Sequence, residues 1–310
     1  GKLQGEIYGK YANQYAGDWQ GRGSLLYTKG KFSTDLIYSF DYDQTHNDNT
    51  MEAQHRLNDG SIHNIEENQL VDSREKSHQV RWGADYFLGE NHRTSLVYNG
   101  NFGNSGTDIS TTGTQVSTAR IDRDKQLHNV RADYQAPFGL SVGAEYTHYT
   151  KPSNQLLKST FEGVDWNFRT EDRQTIDRWK VFAGQEHSLG NGWELNYGVD
   201  LEWARDKSFQ WYYDPETGQK TNVAGDGGFS SLLSEQSQNV YAGFSKAFSQ
   251  KWQMDGSLAV EHFKNAAWND WSVYPTLNLT WLPAAGHIVQ LGLSSDKGYP
   301  DYWSLQSTTT

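Results

Sequence analysis

Six residues in strict alternation constrain this chain more than any other feature. Trp193, Leu195, Tyr197, Val199, Leu201 and Trp203 share one parity, and Glu194, Asn196, Gly198, Asp200, Glu202 and Ala204 fill the other. Successive side chains of a β-strand point to opposite faces, so one face of this segment is apolar and the other polar or small. The apolar row has a tryptophan at each end. Its span matches a transmembrane β-strand, which needs roughly 9–11 residues with aromatic side chains at both interfaces.

A strand of a soluble sandwich also alternates, so the weight falls on repetition. Trp252, Met254, Gly256, Leu258, Val260 and His262 repeat the pattern, as do Trp271, Val273, Pro275, Leu277, Leu279 and Trp281. Val80, Trp82, Ala84, Tyr86 and Leu88 form another row, and Phe32, Thr34, Leu36, Tyr38, Phe40 and Tyr42 one more. Shorter rows are Leu140, Val142, Ala144 and Tyr146, then Val130, Ala132 and Tyr134. Period two dominates, and no stripe of helical period accompanies it. The pattern predicts about 13 strands, with cores at 2–12, 19–29, 31–43, 78–88, 91–103, 119–136, 139–150, 176–188, 193–212, 230–248, 251–264, 271–282 and 287–295.

The connectors carry a second signal. Short turns are predicted at Lys29-Gly30-Lys31, Gly89-Glu90, Pro137-Phe138-Gly139, Leu189-Gly190-Asn191-Gly192, Ser249-Gln250 and Pro283-Ala284-Ala285-Gly286. Longer polar connections are predicted between them, at 44–77, 104–118, 151–175, 213–229 and 265–270. Short and long alternate, apart from the short first connection Asn13 to Asp18. An up-and-down barrel sorts its connections by end, with short periplasmic turns and longer extracellular loops. A Greek-key sandwich has no reason to do so. By this parity Gly1 enters at the periplasmic side, and Trp193 and Trp203 stand at the inner and outer girdles.

Composition is consistent with that reading. Hydrophobic residues make up only 35% of the 310 residues, yet aromatics reach 14%, with 12 Trp and 18 Tyr. Disordered chains are poor in aromatics. Barrel strands are half apolar and therefore lower the average hydropathy. A net charge of −11 disfavours nucleic acid as a partner. Without cysteine there is neither a disulfide framework nor a cysteine metal site.

One stretch carries a resemblance. It runs from Tyr274-Pro275-Thr276-Leu277-Asn278-Leu279-Thr280-Trp281, through His287-Ile288-Val289-Gln290-Leu291-Gly292-Leu293-Ser294-Ser295, to Gly298-Tyr299-Pro300-Asp301-Tyr302-Trp303-Ser304-Leu305. It resembles the mid-barrel signature of TonB-dependent outer-membrane receptors, in particular the Bacteroidetes-type outer-membrane β-barrel family. Tyr299-Pro300 stands where that family has Arg-Pro, and Gln306-Ser307 where it has Asn-Pro. The resemblance implies an all-β, antiparallel up-and-down transmembrane barrel of 22 strands with a plugged lumen. This chain would then be a barrel segment, with the plug domain before Gly1 and the remaining strands after Thr310. The implied partners are outer-membrane lipid, the chain's own plug domain, a TonB-type energy-transducing protein acting through that plug, and a surface lipoprotein.

Site residues are few. No metal helix, nucleophile elbow or phosphate-binding glycine loop is present in the sequence, so no catalytic, metal or cofactor grouping is predicted and the reading is transport rather than catalysis. Asp41, Asp43, Asp48 and Glu52 around His46 read as a solvated acidic loop. Trp211, Tyr212 and Tyr213 precede the turn Asp214-Pro215-Glu216-Thr217-Gly218 and are the candidate ligand aromatics, with Trp166 and Trp268 considered beside them. Trp193, Trp203, Trp252, Trp271 and Trp281 are the predicted membrane-interface aromatics. Asp85, Asp133, Glu145, Glu186, Asp200, Glu202, Asp255 and Glu261 are predicted to line a lumen. The alternative reading is a soluble or surface β-protein that binds carbohydrate through its aromatics, with its apolar faces packed on each other. A complete smaller barrel acting as a porin or enzyme is a third.

Overall fold

A computed structural model describes residues 1–13, 16–221 and 228–294. Its elements are β1 (Lys2–Asn13), β2 (Gly17–Lys29), β3 (Phe32–Arg56), β4 (Ile62–Gly89), β5 (His92–Gly113), β6 (Val116–Gln135) and β7 (Leu140–Phe161). They continue as β8 (Val164–Gly190), β9 (Trp193–Tyr213), β10 (Gly228–Ala247), β11 (Trp252–Lys264), β12 (Asn269–Ala284) and β13 (His287–Ser294). All thirteen belong to one antiparallel sheet in which each strand pairs with its neighbours in sequence. Ser295 and the Gly298 to Leu305 part of the family-like stretch lie outside the described residues.

Register confirms what the alternation implies. On β11 and β12, Trp252 pairs with Trp281, Met254 with Leu279, Gly256 with Leu277, Leu258 with Pro275, Val260 with Val273 and His262 with Trp271. The other parity pairs Gln253 with Thr280, Asp255 with Asn278, Ser257 with Thr276 and Glu261 with Ser272. One face of the hairpin is therefore apolar as far as His262, and the other is polar apart from the pair Ala259 and Tyr274. A one-residue slip would exchange the faces, which is why so clean a pattern fixes the register.

Strand extent differs from the sequence expectation. The predicted connections 44–77, 104–118 and 151–175 are mostly strand. Pairing of β3 with β4 is unbroken from Phe32↔Tyr86 to Arg56↔Ile62, and only residues 57–61 turn. Within the predicted connection 151–175, β7 and β8 are joined by the two residues Glu162 and Gly163, at φ 51° and 77°. Two successive positive φ values match the right-handed twist of the flanking strands. Asn191 (φ 54°) and Gly192 (φ 77°) form the same kind of turn at the opposite end, between β8 and β9. The physical reason is that hydropathy reports the solvent on each face. Where both faces are polar the period-two signal vanishes, while backbone pairing continues. The sorting by parity therefore survives as overhanging hairpins at one end rather than as long loops.

The sheet divides into two compact units. One comprises Gly1–Asp133, Ala144–Trp179 and Ala204–Ser234. The other comprises Tyr134–Gly143, Lys180–Trp203 and the chain from Glu235 onward. Among the described residues neither unit has an apolar core. Among the described residues the one buried hydrophobic side chain is Ala136, at 1% exposure. Among the described residues of each unit, apolar faces packed on each other are not formed.

Candidate functional site

The apolar parity is uncovered throughout. Trp193, Trp203, Trp252, Trp271 and Trp281 are between 37% and 67% exposed, and Val240, Leu258, Val273 and Leu277 between them in height are exposed as well. Trp271 and Trp281 lie ten residues apart on β12, as do Trp193 and Trp203 on β9. At about 3.3 Å per residue and a tilt near 40°, ten residues rise roughly 25 Å, the height of the lipid-facing band of an outer-membrane barrel. The aromatic ends are mutually packed: Trp252 stacks on Trp281 at 5.3 Å between centroids, and His262 on Trp271 at 4.4 Å.

The strands without an outer tryptophan end their apolar rows differently, a feature the sequence reading missed. On the same parity, Tyr38 Oη lies 2.6 Å from His78 Nδ1, and Tyr98 Oη lies 2.8 Å from His128 Nδ1. Tyr146 Oη donates to Asp177 (2.7 Å), which also pairs with His148 Nδ1 (2.7 Å). Tyrosine and histidine are amphipathic rings suited to a boundary between oil and water. Their recurrence at the ends of apolar rows was the signal available in the sequence.

The polar parity carries the predicted acids. Arg81 pairs with Asp35 (2.5 Å), Arg93 with Asp85 (2.7 Å), and Arg131 with Asp133 (2.9 Å) and Glu145 (3.9 Å). In the second unit Asp255 accepts from Asn278 Nδ2 (3.1 Å) and Glu261 from Ser237 Oγ (3.4 Å). Tyr241 leans over two glycines of this face, its hydroxyl 2.5 Å from where a Cβ of Gly198 would stand and 2.9 Å from one at Gly184. Solvated ion pairs of this kind contribute about 0–1 kcal/mol each. They offset part of the acidic charge of this face.

The candidate ligand aromatics do not form one platform. β9 continues to Tyr213, so alternation sends Trp211 and Tyr213 to the face of Trp203 and Tyr212 to the face of Asp206. Trp211 is covered: Lys220 Nζ sits 4.0 Å above its ring, Phe209 stacks at 6.2 Å, and Gly228 leaves no room for a Cβ beside it. Tyr213 is covered by Arg169 at 4.7 Å. The turn forms as expected, Asp214 Oδ1 accepting from the backbone N–H of Glu216 (2.8 Å) and Thr217 (3.3 Å). Tyr212 meets the edge of Phe168 at 6.4 Å, and Trp166, 63% exposed, lies two residues further along the same face of β8. Trp268 is 54% exposed in the turn held by Asn265. The exposed aromatics here are thus Trp166 and Trp268.

The acidic segment around His46 is strand, not loop. Alternation separates Asp41 and Asp43 from His46, Asp48 and Glu52, and His46 pairs with Asp72 at 2.5 Å. At the tip of the β3–β4 hairpin, Asp59 Oδ1 accepts from the Ser61 hydroxyl (2.6 Å) and N–H (2.9 Å). Those bonds, the hydroxyl first, hold its carboxyl below the ordinary value of 3.8.

No family model matches the chain, and no curated protein does. Among solved structures it is similar to the RagAB peptide importer in its closed-closed state, at 9% identity and a TM-score of 0.55, over 86% of this chain and 34% of that one. It also aligns with the siderophore receptor PiuA from Acinetobacter baumannii, at 9% identity and a TM-score of 0.49, over 91% of this chain and 47% of that one. The chain thus spans between a third and half of the length of these structures. The likeness to RagAB shows the fold, an antiparallel all-β sheet of the outer-membrane barrel kind.

Proposed function

We propose that the chain is a wall segment of an outer-membrane receptor of the TonB-dependent kind, completed by further strands and a plug, that imports a scarce extracellular nutrient. One observation carries this reading. Exposed apolar rows of uniform parity are bounded by aromatics ten residues apart, and the opposite parity is hydrated and charge-paired. Such a sheet separates lipid from a polar lumen. The overhanging β7–β8 hairpin rises beyond the band and presents Trp166 to a ligand. Coupling to a TonB-type protein and assistance from a surface lipoprotein are what the family resemblance of the Tyr274 to Trp281 and His287 to Ser294 stretches implies.

The test is genetic. Growth is measured on a panel of limiting nutrients with the gene deleted, with the energy-transducing partner deleted, and with both deleted. The proposal predicts that both single deletions fail on the same nutrient and that the double deletion adds nothing. A gene-deletion defect that is additive with loss of the partner contradicts energy-coupled import.

A further inference from the structure

Beyond the outer girdle one patch of the lipid-side parity is strongly cationic. Arg205 and Lys207 continue the parity of Trp203 on β9, two and four residues further out. Arg173 has the parity of Asp177 and Trp179 on β8. The pairing of these strands is marked by two contacts, Gln174 Nε2 donating to Asp206 Oδ2 (3.2 Å) and the Phe168 ring against Tyr212. Both contacts put Arg173 on the same face as Arg205 and Lys207, on the neighbouring strand. All three side chains are exposed.

The surroundings neutralise them only in part. Acids on this face of β8 are Glu171, flanked by Arg169 and Arg173, and Asp177, which is bound by Tyr146 and His148 and lies near the charge of Arg205. The same-face positions Thr150, Pro152 and Asn154 of β7 and Ser230, Leu232 and Ser234 of β10 are uncharged. Four cations therefore face two carboxylates, in a chain whose net charge is −11. Two to four residues of tilted strand put Arg205 and Lys207 roughly 5–10 Å beyond the aromatic girdle. That is the depth of the headgroup layer, since a bilayer of about 40–45 Å contains about 30 Å of hydrocarbon.

We propose that Arg173, Arg205 and Lys207 bind the phosphate of a lipid headgroup in the outer leaflet. The inference rests on the membrane reading above. Guanidinium forks on two neighbouring strands suit a phosphate ester. Continuity with the apolar rows supports a lipid as the bearer, because its acyl chains would lie against Trp179 and Val181.

The experiment uses the full-length protein in phosphatidylcholine nanodiscs, titrated with phosphatidic acid and read by native mass spectrometry. At about fivefold per cation near an anionic surface, R173Q/R205Q/K207Q weakens phosphatidic acid binding at least tenfold. The charge-keeping variant R173K/K207R retains most of it. R120Q, which removes a cation already held by Asp108 and Asp122, leaves it unchanged. Equal affinity in the triple variant overturns the site and leaves the row to an acidic protein partner. Displacement by millimolar inorganic phosphate overturns the lipid assignment. Tryptophan quenching by brominated acyl chains in the same nanodiscs reports embedding separately, so quenching without phosphatidic acid selectivity sinks this inference alone.

Discussion

On β11–β12 the apolar row runs along nearly the whole paired region, from Trp252↔Trp281 to His262↔Trp271. On β3–β4 it runs from Phe32↔Tyr86 only to Phe40↔His78, after which pairing continues through mainly polar residues to Arg56↔Ile62. The two hairpins share one backbone geometry and differ in what bathes their faces. A strand pair persists as long as its backbone groups bond to each other, and those bonds do not depend on the side chains' solvent. Hydropathy marks the medium, not the end of the strand.

The contrast can be broken by charge. Leu277 lies midway between Trp271 and Trp281 on the apolar face, and Thr50 lies on the corresponding parity of the β3 overhang. Leu277→Arg is expected to cost about 2–4 kcal/mol in lipid vesicles, the penalty of a cation at the midplane. Thr50→Arg should stay within about 0.5 kcal/mol. Denaturant unfolding of both variants checks this, and equal effects would remove the distinction.

Shape gives a smaller contrast. A Cβ at Gly256 would stand 2.7 Å from the Phe244 ring and 3.4 Å from Leu277, whereas one at Gly106 would meet mainly the mobile end of Arg74 at 3.2 Å. Gly256→Val is expected to destabilise by about 1–3 kcal/mol through overpacking. Gly106→Val should cost about 0.5 kcal/mol or less. Smaller again is the girdle stack. Trp281→Ala removes the ring on Trp252 and is expected to cost about 0.5–1.5 kcal/mol beyond the lost area. Trp166→Ala, at an exposed overhang position, is expected to leave unfolding unchanged while weakening ligand binding.

The smallest effect belongs to the overhang tip. Asp59 has its folded pKa lowered, so its bonds to Ser61 contribute above the ordinary pKa and are lost as pH falls through the lowered one. An NMR titration of the Asp59 carboxyl should give a midpoint below 3.8. A midpoint at or above that value would mean the turn is not held this way.

The sequence made the strand number and the two faces legible wherever one face is apolar, as in the rows of Trp193 and Trp252. It hid the overhangs, because 44–56 and 62–77 are polar on both sides and look like loop. It also grouped Trp211, Tyr212 and Tyr213 by adjacency, whereas continuation of β9 to Tyr213 assigns them to opposite faces. The Tyr–His pairs escaped because each joins two strands, and single-strand patterning does not show cross-strand partners.

The most direct measurement of the central claim is depth-resolved quenching of single tryptophans in nanodiscs, with Trp271 or Trp166 kept and the others changed to phenylalanine. The account predicts that Trp271 is quenched by lipids brominated on the acyl chain and shielded from aqueous acrylamide, and that Trp166 shows the reverse. Acrylamide reaching both alike, with bromine reaching neither, would contradict a lipid-facing band.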